Sequence, residues 1–383
     1  MKISNSFLFN CVFITKNVGD GVFFETLKYM VSPMVNMSKK PYRVEVTYPK
    51  RGKPKYFLVK DVFVRGKKRK ARKYLGVLPP NAEEIEVYRQ KYAYEMEIKA
   101  ATKRAEISIS FFNSDHLSKE QVRKLEEIRY IYKAVTELLT VNEIKVYEHD
   151  FEIHYIQGTT FLEGNTLTLK QAHDLLVNNI APKGKSLREI NEVQNFKKVV
   201  RYRNQYRGKV SLDFIKTLHA LIMNNIDYES AGTFRRVNDI GIAGCGVPLC
   251  PSIFIEEELN NIIIKYYLDL KNAKHPFEAA VMFHYEFEMI HPFTDGNGRV
   301  GRELFNYMLI REKFPKLLFL GKDRELYIDA LKLGNEEDFG EMIHIFSNLI
   351  IKQRLDILKE NLKRVATPIK KTGQLRLTDF VSF

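Results

Sequence analysis

The sequence has few cysteines and no long apolar run, and each absence excludes a class of protein. Only three of the 383 residues are cysteines, Cys11, Cys245 and Cys250, which is too few and an odd number for a disulfide framework. We therefore expect a cytoplasmic location, where thiols stay reduced. No stretch approaches the ~20 apolar residues that a membrane-spanning helix needs, so we expect no membrane segment.

The amino-terminal stretch also lacks a targeting signal. Its short apolar run is interrupted by Asn10 and Cys11, and no small-residue cleavage site follows. We interpret residues 1–36 as a poorly ordered extension or a mis-assigned start, with Met34 or Met37 as the alternative initiator.

Acidic residues are scarce between Lys39 and Lys73. Fifteen Lys and Arg residues are opposed there by Glu45 and Asp61 alone, so the segment carries +13 of the net charge of +14. The stretches "YRVEVTY" and "YFLVKDVFV", with two "RGK" turns, predict a small antiparallel module of three strands within residues 37–80. Clustered Lys and Arg attract phosphates, so residues 39–73 form either a nucleic-acid-binding surface or a solubilising one.

Most of the remaining chain has the 3.6-residue apolar period of helices. We expect a helical connector over residues 81–140, a helical domain over 141–350, and a carboxyl-terminal helix and tail over 351–383. One stretch, "GTFRRVNDIGIAGCGVPLCPSIF", is β-leaning and bears Gly and Pro, which predicts a β-hairpin set into the helical body. The predicted fold class is therefore mainly α, preceded by a small basic β module.

The densest group of polar residues is "HPFTDGNGRVGR", residues 291–302. A glycine-rich loop that leads into a helix start favours a bound anion, and Arg299 and Arg302, three residues apart, can face the same phosphates. Asp295 is an oxygen ligand suited to Mg²⁺, and His291 suits a general base at neutral pH. Any one of these residues is compatible with a plain helix–helix corner. Together they are the groups that attack on a nucleotide phosphate requires.

This stretch resembles the signature of the Fic family, H-x-F-x-[DE]-G-N-G-R-x-x-R, with every fixed position matched. "LHALIMNNIDYESAGTFR" and "RELYIDALKLGNEEDF" are similar to family segments on either side, so the resemblance covers roughly residues 141–350. It implies an Mg²⁺-dependent protein adenylyltransferase that moves AMP from ATP to a Ser, Thr or Tyr hydroxyl of a target protein or of itself. A homodimer is compatible with it. Related Doc toxins, which transfer a phosphoryl group, carry Lys where Gly298 stands, so this glycine favours nucleotidyl transfer.

The resemblance also implies roles for individual residues. His291 would take the proton of the target hydroxyl, and Asp295 would hold Mg²⁺. The implied nucleotide-binding residues are Asp295, Gly296, Asn297, Gly298, Arg299, Gly301, Arg302, Tyr327 and Asn335. A flap with Gly244, Cys245 and Gly246 would hold the target segment by strand pairing.

A shorter motif lies upstream, where Thr159 to Gly164 read T-x-x-x-E-G. It resembles the inhibitory signature of the same family, [ST]-x-x-x-E-[GN], in which the glutamate pairs with the second arginine of the main motif. The resemblance implies that Glu163 pairs with Arg302 and blocks the position of the γ-phosphate. The plain alternative is a solvated glutamate at a helix end. Two other functions also stay open: removal of AMP with Glu163 orienting a water, and a nucleic-acid-bound regulator whose Fic fold only senses nucleotide.

Overall fold

The computed structural model describes residues 42–238 and 248–366, which contain three strands and twelve α-helices. The strands are β1 Arg43–Thr47, β2 Lys55–Val64 and β3 Lys67–Gly76. The first six helices are α1 Ala82–Lys91, α2 Ala93–Ser108, α3 Lys119–Leu138, α4 Val141–Phe161, α5 Leu169–Val177 and α6 Leu187–Gln205. The other six are α7 Leu212–Met223, α8 Ile255–Lys271, α9 Pro276–Ile290, α10 Asn297–Arg311, α11 Arg324–Asn335 and α12 Phe339–Ala366. The predicted fold class, mainly α behind a small antiparallel sheet, is confirmed.

The basic module is one antiparallel sheet in the order β1-β2-β3, packed by one face on α2. Side chains on one face of β2 and β3 point to that helix and are buried against Met96 and Ala100 of α2; they are Leu58, Val62, Val64 and Ala71. Within this contact Lys60 Nζ lies 2.6 Å from Glu97 Oε2, and the Tyr42 hydroxyl donates to Glu97 at 2.6 Å. The sheet is therefore anchored on the connector, and its other face is turned away from α2.

The connector and the last helix share a core of their own. Ala101 of α2, Ile128 and Ile131 of α3, and Leu358 and Leu362 of α12 are buried together. A serine cap begins α3, where the Ser118 side chain accepts a hydrogen bond from the Gln121 amide. Helix α12 runs unbroken from residue 339 to residue 366, so the boundary predicted between residues 350 and 351 lies inside a helix.

Helix α10 lies at the centre of the helical domain, in contact with α4, α7 and α9. Its buried Glu303 accepts a hydrogen bond from the Tyr155 hydroxyl of α4 at 2.8 Å and lies 3.2 Å from Arg203 of α6. Arg203 also pairs with Glu152 at 3.2 Å. Buried charges that are paired in this way fix the positions of their helices, because leaving either one unpaired costs several kcal/mol.

Three predicted features lie wholly or partly outside the described residues. Residues 1–36 and the tail after residue 366 are among them, and so is the flap with Gly244, Cys245 and Gly246. The described residues beside the flap, 233–238 and 248–251, contain no strand. Within the described ranges, no helix combines the length and the hydropathy that crossing a bilayer would take.

Candidate active site

The glycine-rich loop between α9 and α10 is held in one conformation by its own side chains. His291 ends α9 in the left-handed region, with φ 49° and ψ 61°. Gly296, with φ 82°, begins α10 in the same region, which glycine occupies without strain. The Asn297 side chain bonds both the amide and the carbonyl of Phe293 at 2.8 Å. The predicted phosphate contact of Asn297 is therefore left to its backbone, because its side chain is committed to the loop.

Two residues that sequence reasoning did not assign hold this loop from outside. His219 of α7 stacks on Phe293 with ring centroids 3.7 Å apart, and its Nε2 lies 3.0 Å from the Asp295 carbonyl oxygen. Burial lowers the pKa of His219 to about 4, so it is neutral and structural. Arg235 is buried and donates to the carbonyl oxygens of His291 and Ile290. Both lie in the quoted stretch "LHALIMNNIDYESAGTFR", but only packing reveals what they touch.

His291 has the protonation state and tautomer of a base. Its Nδ1 lies 3.3 Å from the carbonyl oxygen of Glu288, which can only accept, so Nδ1 carries the hydrogen. The lone pair is then on Nε2, and His291 lines the larger cavity of the site. Burial, aided by the Arg235 charge, lowers the pKa of His291 despite that backbone contact. The ring is therefore neutral at pH 7 and able to accept a proton.

Asp295 is surrounded by cations. Its Oδ1 accepts from Arg299 at 2.8 Å, and its Oδ2 accepts from Arg188 of α6 at 2.5 Å. Burial raises the pKa of Asp295, but Arg299, the Gly296 amide and Arg188 outweigh it and hold the pKa below its usual value. The side chain is 39% exposed, and that of Arg188 is 58% exposed. An ionised, accessible carboxylate whose partner can withdraw fits Mg²⁺, which commonly takes one or two carboxylates and completes its shell with phosphates.

Glu163 and Arg302 form an ion pair. Glu163 Oε1 accepts from Arg302 Nη2 at 2.7 Å, two residues beyond the end of α4. Thr159 bonds the same guanidinium through its hydroxyl at 2.9 Å and its carbonyl at 3.0 Å. Burial raises the pKa of Glu163, but Arg302 and Arg299 outweigh it, so the carboxylate is ionised. The structure thus brings together the three residues that the inhibitory signature names.

Two cavities open on either side of Glu163. The larger, of about 290 Å³, is lined by His291, Gly298 and Arg302, and by Tyr327 and Asn335 from α11. The smaller, of about 180 Å³, is lined by Asp295, Arg299 and Arg188. Glu163 lines both. The two motif arginines therefore face different cavities while Glu163 lies between them, although the sequence predicts that they share one set of phosphates.

Two glycines of the loop helix make room for acidic side chains. A Cβ atom on residue 298 would lie 2.5 Å from Glu163 Oε1 and 2.7 Å from Arg302 Nη1, so a side chain there would require the ends of both paired side chains to shift. A Cβ atom on Gly301 would overlap Oε1 of Glu288 on α9. Gly301 lies among the packed residues between α9 and α10, and does not line either cavity. Its predicted contact with nucleotide stays a prediction.

A fixed glycine-rich loop, a neutral histidine, an accessible aspartate and two arginines at the start of a central helix define a site for a phosphate-bearing ligand. Residues 209–309 match the model of the Fic/DOC family. The site-bearing part of the chain is therefore similar to a Fic domain.

Curated relatives extend the similarity beyond that domain. The protein adenylyltransferase Fic of Aedes aegypti is 27% identical over 276 residues, which are 70% of this chain and 53% of the relative. The protein adenylyltransferase fic-1 of Caenorhabditis briggsae is 32% identical over 194 residues, 49% of this chain and 38% of the relative. The chain thus matches about half or less of the length of these relatives.

Solved structures show the same fold. A Fic domain-containing signalling protein of Bacteroides thetaiotaomicron is 23% identical with a TM-score of 0.56. The match covers 64% of this chain and 99% of the chain of that protein. Fic-1 of Caenorhabditis elegans is 24% identical with a TM-score of 0.54. The match covers 74% of this chain and 84% of the solved Fic-1 chain.

Proposed function

We propose that the protein transfers AMP from ATP to a hydroxyl side chain of a target protein, and that Glu163 inhibits the transfer. The observation that carries the proposal is the cavity of about 290 Å³ that joins the neutral His291 to Arg302 and to Tyr327 and Asn335. One end supplies a base and a cation, and the other supplies an aromatic ring and an amide suited to a nucleobase. The named relatives are adenylyltransferases, which favours transfer over removal of AMP.

The chemistry follows from the placement of these groups. His291 Nε2 takes the proton of the Ser, Thr or Tyr hydroxyl, whose oxygen attacks the α-phosphorus of ATP. The new oxygen–phosphorus bond forms as the bond to the β-phosphate breaks, and pyrophosphate leaves. The first amides of α10 have no partner within the helix and face the charge that develops on the α-phosphate. Arg302 and Arg299 bind the outer phosphates once Glu163 no longer separates them.

Asp295 is the residue that would hold Mg²⁺, which neutralises phosphate charge when it is bound. Arg188 now occupies Asp295 Oδ2 and would have to withdraw.

Glu163 is proposed to inhibit because it occupies the Arg302 guanidinium and separates the two cavities. A triphosphate that reaches both arginines must displace this carboxylate. The Thr159 contacts keep Arg302 in place without Glu163, so the loss of Glu163 leaves the cation ready for phosphate.

The direct test is transfer of label from α-labelled ATP to the protein itself and to host-lysate proteins. His291→Ala should abolish transfer while leaving the Kd for ATP within a few-fold, since a base acts in the transition state. His173→Ala, at an exposed histidine of α5 that lines neither cavity, is the matched control. Undiminished transfer by His291→Ala would refute the mechanism.

A second proposal concerns the β module, whose open face combines cations with aromatic rings. The strand register places on this face Arg43, Lys55, Phe57, Phe63, Lys68, Lys70, Arg72 and Tyr74. It also places there Glu45 and Asp61, which pair with Lys70 and Arg43, so the cations on this face outnumber the acids by five to two. Phe63 is 61% exposed, with the Lys68 ammonium 5.2 Å from its ring centroid. Such a face suits the phosphates and bases of a nucleic acid.

Its test compares two charge reversals in the full chain. Lys68→Glu/Lys70→Glu alters the open face, and Lys99→Glu/Lys103→Glu makes the same charge change on α2. Only the first should reduce binding to labelled oligonucleotides, and binding by the unmodified protein should weaken steeply as salt rises. Equal effects of both pairs, or no binding at low salt, would reduce the module to a solubilising surface.

A further inference from the structure

Glu288 is a buried carboxyl group in the nucleotide cavity that the proposed mechanism does not use. It lies on α9, one turn before His291, and lines the larger cavity together with Arg302. It is 5% exposed, and its Oε1 has no hydrogen-bond partner within the described ranges. An unpartnered carboxyl oxygen costs free energy in a packed interior, so its retention calls for a ligand or a proton.

Every element packed against Glu288 brings a polar or charged group toward it or into the same cavity. On its own helix these are His284 and His291. Helix α10 contributes Arg302, and the segment after α4 contributes Glu163. Helix α11 contributes Tyr327, Arg324 and Lys332 to the cavity. The carboxyl group thus shares its cavity with a second carboxylate, Glu163, and with the Arg302 guanidinium that Glu163 binds.

The histidine neighbour of Glu288 does not satisfy the carboxyl group. His284 is fully buried, and burial lowers its pKa to about 3, so it is neutral. Its Nε2 lies 3.0 Å from the Tyr327 hydroxyl. Its Nδ1 lies 3.9 Å from Glu288 Oε1, which is too long for a hydrogen bond, so that oxygen stays without a partner among the described residues.

The charge state follows from burial. Burial raises the pKa of Glu288 to about 8, with the Arg302 charge opposing this rise and the Glu163 charge adding to it. At neutral pH the group is therefore largely a protonated acid, which is a hydrogen-bond donor beside Arg302.

We propose that Glu288 is a nucleotide-positioning residue that, as a neutral acid, donates a hydrogen bond to the outer phosphates of ATP beside Arg302. The inference rests on the proposed function, since it takes ATP as the ligand. Phosphate oxygens accept strongly, whereas an ionised Glu288 would repel them and would compete for Arg302. ATP therefore binds the protonated form and takes up a proton wherever the free protein has lost it.

The sign of the pH dependence follows from this linkage. Bound phosphates raise the pKa of Glu288 above its value in the free protein. The affinity for ATP is therefore highest below the pKa of Glu288 in the free protein. It falls as pH rises through this value toward the pKa of Glu288 in the ATP complex. Glu163→Gly removes a negative charge that raises the pKa of Glu288 in the free protein. In this variant the affinity for ATP therefore begins to fall at a lower pH.

The experiment measures the Kd for ATP from pH 7.5 to pH 9.5 in Glu163→Gly and in Glu163→Gly/Glu288→Gln. Glutamine keeps a donor of the same shape but has no proton to lose. We expect affinity to fall by at least ~10-fold in the first protein and by less than ~3-fold in the second, since one linked proton changes affinity by up to tenfold per pH unit. Glu288→Ala in the same background should bind ATP more weakly than Glu288→Gln at every pH, because it has no donor at this position.

Calorimetry in two buffers of different protonation enthalpy gives a readout that needs no change at residue 288. ATP binding to Glu163→Gly near pH 8.5 should take up a proton, and binding near pH 6.5 should not. Equal pH slopes with and without Glu288, or no proton uptake, would overturn the role of Glu288 and leave the proposed function intact. A Glu163→Gly protein that binds no ATP at any pH would overturn both.

Discussion

Replacing Glu163 with glycine gives the sharpest prediction, because one carboxylate is proposed to restrain the whole site. Glu163 Oε1 receives one charge-assisted hydrogen bond from Arg302. A hydrogen bond to a charged group contributes about 1.5–3 kcal/mol, which is about 10- to 150-fold in an equilibrium constant. The Glu163 side chain is 30% exposed, so solvent screening places the effect near the lower limit. We expect Glu163→Gly to raise auto-modification by at least ~10-fold.

The assay is incorporation of label from α-labelled ATP into the purified protein, measured as an initial rate. Arg302→Ala should not mimic Glu163→Gly, because that change also deletes the phosphate-binding cation. The double variant should resemble Arg302→Ala alone, which is strong non-additivity. Thr159→Ala is the matched control: it removes a hydrogen bond from the same guanidinium but leaves the blocking carboxylate in place, and should not activate.

The outcome that refutes this reasoning is equally specific. If Glu163→Gly leaves transfer unchanged with every nucleotide tried, the Glu163–Arg302 pair is a structural ion pair at a helix end. Activation by Thr159→Ala equal to that by Glu163→Gly would show that mobility of Arg302, and not occupancy of the phosphate position, limits transfer.

Three further outcomes are expected. Glu303→Ala should lower the free energy of unfolding by about 3–5 kcal/mol in denaturant titration, because it leaves Arg203 without one of its buried partners; a loss below 1 kcal/mol would contradict this. In the Glu163→Gly background, Arg188→Ala should lower the Mg²⁺ concentration that gives half-maximal transfer, because it removes a cation from Asp295 Oδ2; a higher requirement would show that Arg188 assists the metal. The pKa of His291 is lowered below its ordinary value of 6.5, so the acidic limb of the pH–rate profile should lie below pH 6.5. Deprotonation of His291 should therefore cause no rise in the transfer rate between pH 7 and pH 8. An inflection above pH 7 that persists in Glu288→Gln would contradict this.

The local parts of the protein could be predicted from the sequence because their causes are local. A 3.6-residue apolar period and caps such as Ser118 determine the helices, and alternation with two turns determines the small sheet. The dense polar loop at residues 291–302 is a contiguous stretch, so its chemistry is visible without coordinates. The Glu163 motif is contiguous as well, so its resemblance to the inhibitory signature is visible in the sequence.

The relations between these parts were decided by the tertiary structure. Arg188, 107 positions from Asp295, bonds that aspartate only because α6 packs beside the loop. Arg299 and Arg302 are three residues apart, yet they line different cavities because Glu163 lies between them. The protonation of Glu288 depends on burial beneath α10 and on charges from two other segments. Through-space charge, desolvation and cavity shape depend on which helices meet, and no local pattern of residue types specifies that meeting.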